Sequence, residues 1–439
     1  MTFPIAFVLV CLSFGSRAVA DQVERLAADI DALISNGSRT VGYPGAEAAA
    51  DLIDGRFRQL DLRDVRREEF SVGVPVDYGF SLVVLESGKS VALSSLWPNM
   101  VRTSTVSPKG LELPMVYVGT GEWTELNGNE LEGRVVLMEF NSGLNWLRPA
   151  SLGAAAFVFI EPDETTIREA HRKYSMAPLD IPRFWIDKIS GMELREQLRN
   201  SGELLVELQG RMDWEMAPAW NILGSLPGTD PELSKEIVVI QAYYDASSVV
   251  PGLAPGGIAA CGIASLLETA RYLKQNQPYR TVLFLATSAH YQAHQGIVDF
   301  LNRRARTFEG YSESFGEPVD ISLLISLDLS SGSDQLGVWN STDDQNLRRY
   351  FVPYSRAIMS HVETAAKKLG RDPTSAFING ISPIRGMEWD SYTPGGIESD
   401  AEWALSARIP ALTIASVNDR RQSEFTPLDN NVSLVNLDR

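Results

Sequence analysis

The stretch Ile237-Val-Val-Ile-Gln-Ala-Tyr-Tyr-Asp245 decides the fold. Its apolar run is short, rich in β-branched residues and ends in an acid, which reads as a strand buried on both faces. Such a strand needs helices above and below it. Ile263, Leu266, Leu267, Ala270 and Leu273 recur at helix spacing, Thr281–Ala286 is the next strand, and Ile297, Phe300 and Leu301 mark a second helix. Strand Ile321–Leu327 follows, then a long helix after Pro353 with Ile358, Val362, Ala365 and Leu369 on one face, then strand Pro410–Ala415. This alternation predicts an α/β fold, a mostly parallel sheet with helices on both faces. Ligand chemistry in that architecture collects at the carboxyl ends of the strands.

Upstream, residues 21–66 are helical in pattern, with Ala49, Ile53, Phe57 and Leu60 repeating after the turn signal Tyr43-Pro44-Gly45. The Ile53/Phe57/Leu60 face needs a partner, which predicts packing against the later sheet. From about Ser71 to Gln209 the texture changes to β-rich runs such as Phe80–Leu85, Leu113–Val118 and Arg134–Glu139, with Ala154–Ile160 a buried strand and Gly191–Leu198 a short helix. The expected organisation is therefore a discontinuous α/β domain, residues 21–70 and 210–439, carrying an inserted β-rich domain at 71–209. Trp97, Trp123, Trp146, Trp185 and Trp214 lie in or beside that insert, as core or as contact surface.

Acidic residues outnumber Lys plus Arg by 56 to 39, a net charge of −17, which disfavours nucleic acid or an anionic membrane as partner. The apolar run Phe3–Phe14 is too short to span a bilayer, which needs roughly 20 residues. Followed by Ala18-Val-Ala20, it reads as a signal peptide over residues 1–20, so the mature chain is expected to be exported, without a transmembrane segment. Its loss leaves Cys261 as the single thiol and no intrachain disulfide.

Two strands end in an acid, at Asp245 and Asp328, and Glu398-Ser399-Asp400 precedes the last strand. With these ends, Ser38–Gly45, Asn221–Gly228, Ile409-Pro-Ala-Leu412 and Phe425-Thr-Pro-Leu-Asp429, the chain resembles the exported di-zinc aminopeptidases. That family includes bacterial leucyl aminopeptidases, aminopeptidase Y and the transferrin-receptor ectodomain. Gly133–Leu137 and Leu152–Val158 resemble the protease-associated domain inserted in many members. The resemblance implies a phosphorylase/hydrolase-like fold, and a closing helix beyond the point where this chain stops, Arg439. It also implies two zinc ions, bridged by a carboxylate, with a glutamate as general base.

Laid onto this sequence, that site is degenerate. The first histidine ligand falls on Tyr243 and the bridging aspartate on Ile258; no Asp or Glu occurs between Asp245 and Glu268. The paired glutamates, base and ligand, fall near Ser288 and Ala289, and Thr281–Val298 holds no acid. The final histidine falls on Ala401. Asp328 is the only retained ligand, and Asp245 has lost the histidine it would orient. One carboxylate cannot hold a zinc pair, so no cofactor is expected.

Replacement chemistry has three candidates. His290 and His294 are four apart, with Tyr291 where a His-Glu-x-x-His motif needs its glutamate; they are a metal pair completed by Asp328, or two rings on a solvated helix end. Asp245, Asp328 and Asp400 are a hard-cation site, or three acids paired with neighbouring Arg, Tyr and backbone N–H groups. Cys261 is a nucleophile served by His290, or a small apolar filler. The expected function is that of an exported pseudo-peptidase binding a peptide or protein ligand, the alternative a metal-dependent hydrolase with a rebuilt site.

Overall fold

The computed structural model describes residues 16–99, 102–174, 179–304, 320–333, 335–339, 399–417 and 419–429, with isolated positions 361, 364, 367 and 377–379. Most of the expected signal peptide and nearly all of the helix expected after Pro353 lie outside the described residues.

Described helices are α1 (Ser16–Ile34), α2 (Pro44–Gln59), α3 (Trp123–Leu126), α4 (Leu147–Ser151), α5 (Ile167–Tyr174), α6 (Lys188–Ser201), α7 (Ala260–Gln275), α8 (Gln295–Arg304) and α9 (Asp400–Ser406). Described strands are β1 (Arg63–Val84), β2 (Lys89–Ser95), β3 (Leu111–Tyr117), β4 (Val135–Glu139), β5 (Ala156–Ile160), β6 (Arg183–Ile186), β7 (Leu204–Leu226), β8 (Ile237–Tyr243), β9 (Thr281–Thr287), β10 (Ile321–Asp328), β11 (Gln335–Trp339), β12 (Phe377–Asn379) and β13 (Ala411–Val417). They form one sheet in the order β1-β2-β6-β5-β4-β3-β7-β9-β8-β10-β13-β11-β12, with β1 also pairing β7.

At the centre β9, β8, β10 and β13 run parallel, as the buried apolar runs predict. Antiparallel neighbours flank them, β7 beside β9 and β11 beside β13, so the whole sheet is mixed. Alternate side chains of the central strands supply two cores. Val238, Ile240, Ala242, Val282, Phe284 and Ala286 pack with α1, α2 and α7. Val239, Leu283, Leu285 and Leu324 pack with Ile297, Phe300 and Leu301 of α8 and Ala404 and Leu405 of α9.

Helix α2 starts with Pro44 in its first turn and buries Ala49, Ala50, Ile53 and Phe57, so its apolar face meets the sheet formed later in the chain. Phe57 is fully buried with its ring centroid 6.3 Å from that of Phe284; its loss to alanine costs about 3–5 kcal/mol. The helical pattern ends earlier than residue 66: Asp61 takes a left-handed φ of 51° and β1 begins at Arg63.

Strands β1 and β7 are also longer than the short runs expected. They pair antiparallel from Arg63↔Ser225 to Val84↔Val206 and join the central sheet to the β-rich region. There, separate cores lie on the two faces of the sheet. Phe80, Leu82, Val135, Val158 and Phe184 pack with Leu194 and Leu198 of α6, and Trp146, Phe157, Phe159, Ala170 and Trp185 fill the other face. Trp146 and Trp185 are thus core, whereas Trp123 and Trp214 are exposed.

Candidate functional site

The carboxyl ends of β8, β9 and β10 meet the start of α9 and the segment 419–429. Residues from five parts of the chain are buried together there. Tyr243, the last residue of β8, pairs in register with Thr287 of β9. Its ring stacks on His290, with centroids 3.9 Å apart, and its hydroxyl donates to Asp328 Oδ1 at 3.1 Å.

The second partner of Asp328 is a guanidinium. Arg421 Nη1 donates to Asp328 Oδ1 at 2.8 Å and Nη2 to the Asp328 carbonyl at 2.9 Å. Glu424 Oε1 lies 3.9 Å from the same Nη1 and accepts from the Tyr291 hydroxyl at 3.2 Å. Burial disfavours the charged arginine, but Asp328 and Glu424 outweigh it and hold the group charged.

Asp400 is the second centre. Ser399 caps α9, its hydroxyl accepting from the Ala401 N–H, and places Asp400 in the first turn. Oδ1 accepts from His290 Nδ1 at 3.0 Å and His294 Nδ1 at 2.6 Å; Oδ2 accepts from Gln241 Nε2 at 2.5 Å and Thr287 Oγ1 at 3.4 Å. A carboxylate only accepts, so both rings carry a proton on Nδ1. Burial pushes Asp400 up, yet the two histidines outweigh it and hold its carboxyl well below the usual carboxylate range. Burial pulls His290 down, and Asp400 outweighs that, lifting the ring to about 9.

The turn that delivers these rings is strained. Ala289, Ala293 and His294 all take positive φ, at 58°, 54° and 56°, a conformation costing roughly 1 kcal/mol or more per non-glycine residue. Gly296 lets α8 close on this turn, because a Cβ there would meet the Ser288 carbonyl at 2.1 Å. His290 and His294 therefore precede α8 and pack against Asp400, His294 buried and His290 largely so, a correction to two rings on a solvated helix end. Their carboxylate partner is Asp400, not Asp328, because Arg421 and Tyr243 engage Asp328. One ligand atom from each of His290, His294 and Asp400 lies within 4.8 Å of the others, a set that could hold a single ion.

Asp245 accepts the His290 N–H at 3.2 Å through Oδ1, while Oδ2 is buried without a partner among the described residues. Burial pushes this carboxyl up to about 6. The three strand-end and loop acids thus have different partners, a backbone N–H for Asp245, Arg421 for Asp328 and the histidines for Asp400. Ile258 is buried, and its N–H donates to both carboxylate oxygens of Asp429 at 3.2 Å. Burial lifts Asp429 to about 7. Ser288 is buried, and Ala289 packs among Val41, Val72, Val74, Ala217 and Ala219. Ala401 faces the core beneath α9. Cys261, in the first turn of α7, is buried, bonds to the Gly257 carbonyl at 3.7 Å, and is pushed by burial up to about 12, so it is no thiolate nucleophile.

Sequence reasoning missed Arg421, Glu424, Gln241 and the buried Arg39. Arg39 donates to the Gly256 carbonyl at 2.6 Å, and its Nε and Nη1 have no partner among the described residues. The signal available for Arg421 was its position four residues before the Phe425–Asp429 motif.

The central parallel strands, the helices on both faces and the residues gathered at the strand ends define a zinc aminopeptidase-like α/β fold. Residues 221–422, just under half of the chain, match the family model of Peptidase family M28. It is similar to a zinc aminopeptidase from Bacillus subtilis at 18% identity and a TM-score of 0.55, covering 95% of this chain and 91% of that one. It is also similar to a Peptidase M28 precursor from Shewanella amazonensis SB2B at 15% identity and a TM-score of 0.53, covering 96% and 92%. At these identities the likeness is one of fold. No curated protein matches the chain.

Proposed function

We propose that this protein is an exported pseudo-peptidase, an aminopeptidase-like chain that binds a peptide or protein ligand without di-zinc hydrolysis. The observation that carries the reading is Arg421, whose guanidinium lies on Asp328, the one metal ligand the family resemblance retains. A fixed organic cation there balances the carboxylate charge that a metal would otherwise balance. The other positions support the same reading. Tyr243, Ile258, Ser288, Ala289 and Ala401 offer no His, Asp or Glu, and the four donors on Asp400 engage both of its oxygens. The residues present do not fit a pair of zinc ions.

The β-rich region, about Ser71 to Gln209, is read as an inserted protease-associated-like domain, supported by cores drawn largely from its own residues. Export through residues 1–20 rests on the apolar run and the small-residue site that follows it.

A second reading, a hydrolase with one ion on His290, His294 and Asp400, is favoured by the convergence of those ligand atoms. Elemental analysis after zinc loading and desalting, beside hydrolysis of leucine p-nitroanilide, separates the two. The pseudo-peptidase reading expects well under one zinc per chain and no turnover. Two tightly held ions would overturn it, and one ion lost in His294→Ala would establish the second.

A further inference from the structure

We infer that the cleft beside Tyr291 takes an extended peptide segment carrying a large apolar side chain. This deepens the binding function proposed above and rests on it. The cavity, about 430 Å³, lies between the β1/β7 ribbon and the turn that carries His290 and His294.

Three observations point to the same occupant. The first is an open strand edge. From Arg66 to Asp77, β1 pairs only with β7 among the described residues. Ser71 lies opposite Pro218, which has no N–H, so this is a non-hydrogen-bonded pair and the Ser71 backbone groups point away from β7. Residues two apart point the same way. The Glu69 carbonyl accordingly accepts from Arg303 Nη2 at 2.7 Å, outside the ladder. The Pro75 carbonyl accepts from the Tyr43 hydroxyl at 3.1 Å, and that hydroxyl accepts the Asp77 N–H at 2.9 Å. The edge is therefore closed at Glu69, Pro75 and Asp77. Ser71 and Gly73, between them, line the cavity. A bare edge of that length is a template for a short added strand.

The second observation is Gln292, which lines the same cavity. Both its carboxamide Nε2 and Oε1 are buried without a partner among the described residues. Turned into the cavity by a side-chain rotation, this carboxamide offers one acceptor and one donor side by side, the complement of a peptide group. Left unmade, such bonds leave each group with its desolvation uncompensated. The third is the wall: Trp97, Trp214, Met216 and Tyr291 line it, with Trp214 56% and Met216 70% exposed. Large apolar groups presented to solvent beside unpaired amide donors and acceptors suit a peptide with an apolar anchor. Among the described residues no charged side chain lines the cavity, so neither an acidic nor a basic anchor has a partner among them.

The test titrates the full chain with acetyl-Ser-Ala-Leu-Ala-Ser-amide, followed by tryptophan fluorescence and calorimetry. Two comparison peptides carry aspartate in place of leucine, or an N-methyl group on the central amide. Expected is saturable binding of the leucine peptide, with at least tenfold weaker binding of both comparisons. At least tenfold weakening is also expected in Gln292→Ala and in Trp214→Ala, each checked for unchanged circular dichroism. Absence of binding at millimolar peptide, equal binding of the aspartate peptide, or indifference to both substitutions would overturn the proposal. The pseudo-peptidase reading fails separately, through zinc-dependent release of the first residue from the unacetylated peptide, which leaves the pocket's binding data standing.

Discussion

Arg421→Met removes the guanidinium from the Asp328 centre while keeping most of its aliphatic volume. In the wild type Asp328 Oδ1 accepts from Arg421 Nη1 at 2.8 Å and from the Tyr243 hydroxyl at 3.1 Å, and Glu424 lies 3.9 Å from the same nitrogen. The substitution leaves the buried Asp328 and the partly buried Glu424 without their guanidinium, and the Asp328 carbonyl without that donor. One charge-assisted hydrogen bond is worth about 1.5–3 kcal/mol, and breaking a buried ion pair from one side costs about 3–5 kcal/mol. A loss near the upper end, about 4 kcal/mol, is expected because both acids are stranded. Neutralising the acid as well, in Arg421→Met with Asp328→Asn, should recover about half or more of that loss, as coupling between contacting residues requires. Urea unfolding of wild type, both single variants and the double variant measures the coupling. In Arg421→Met alone, zinc or calcium should raise the unfolding midpoint, since a divalent ion now balances the pair of acids that the guanidinium no longer neutralises. A loss below about 1 kcal/mol in the single variant, or strictly additive losses in the double, would refute the assignment of Arg421 as the charge partner of Asp328.

Ala289→Glu, which supplies a glutamate where the resemblance would place one of a pair, should destabilise the protein by several kcal/mol with no rescue by zinc, because Ala289 packs among valines and alanines; stabilisation by zinc in urea unfolding would show that this position faces the site. His290, lifted to about 9 from an ordinary value near 6.5, stabilises the fold fully below pH 6.5 and loses that contribution, on the order of 3 kcal/mol, as the pH rises through 9. Unfolding at pH 6.5, 8 and 9.5 should show the decline, and His290→Gln should flatten it; an unchanged slope in the variant would assign the decline elsewhere. Asp29→Asn should cost about 2–4 kcal/mol, since this buried carboxylate of α1 accepts from Arg56 of α2 at 2.9 Å and Arg271 of α7 at 2.7 Å, and a thermal melt indistinguishable from wild type would contradict it. Cys261 should stay unmodified by iodoacetamide at pH 8 and react only in denaturant, a result that rapid labelling of the native chain would reverse.

The composition of each segment was enough to determine the central strands and the helices between them. An apolar run such as Ile237–Tyr243 has one stable solution, a strand covered on both faces, and α2 must bury the face that carries Ile53 and Phe57. What is missing was equally legible. No acid stands between Asp245 and Glu268 or from Thr281 to Val298, and no histidine follows His361, so the absence of those residue types where the resemblance would place ligands could be read without coordinates. What takes their place could not. Arg421 reaches Asp328 across 93 residues and His294 reaches Asp400 across 106, and no local pattern encodes which cation will meet which acid. The burial of His290 and His294 depends on a turn with three non-glycine residues in left-handed conformations, which propensity argues against and only the surrounding packing sustains. The open edge at Ser71 and Gly73 is likewise tertiary in origin. It exists because Arg303 and Tyr43, from distant segments, close the positions on either side and leave those two between them.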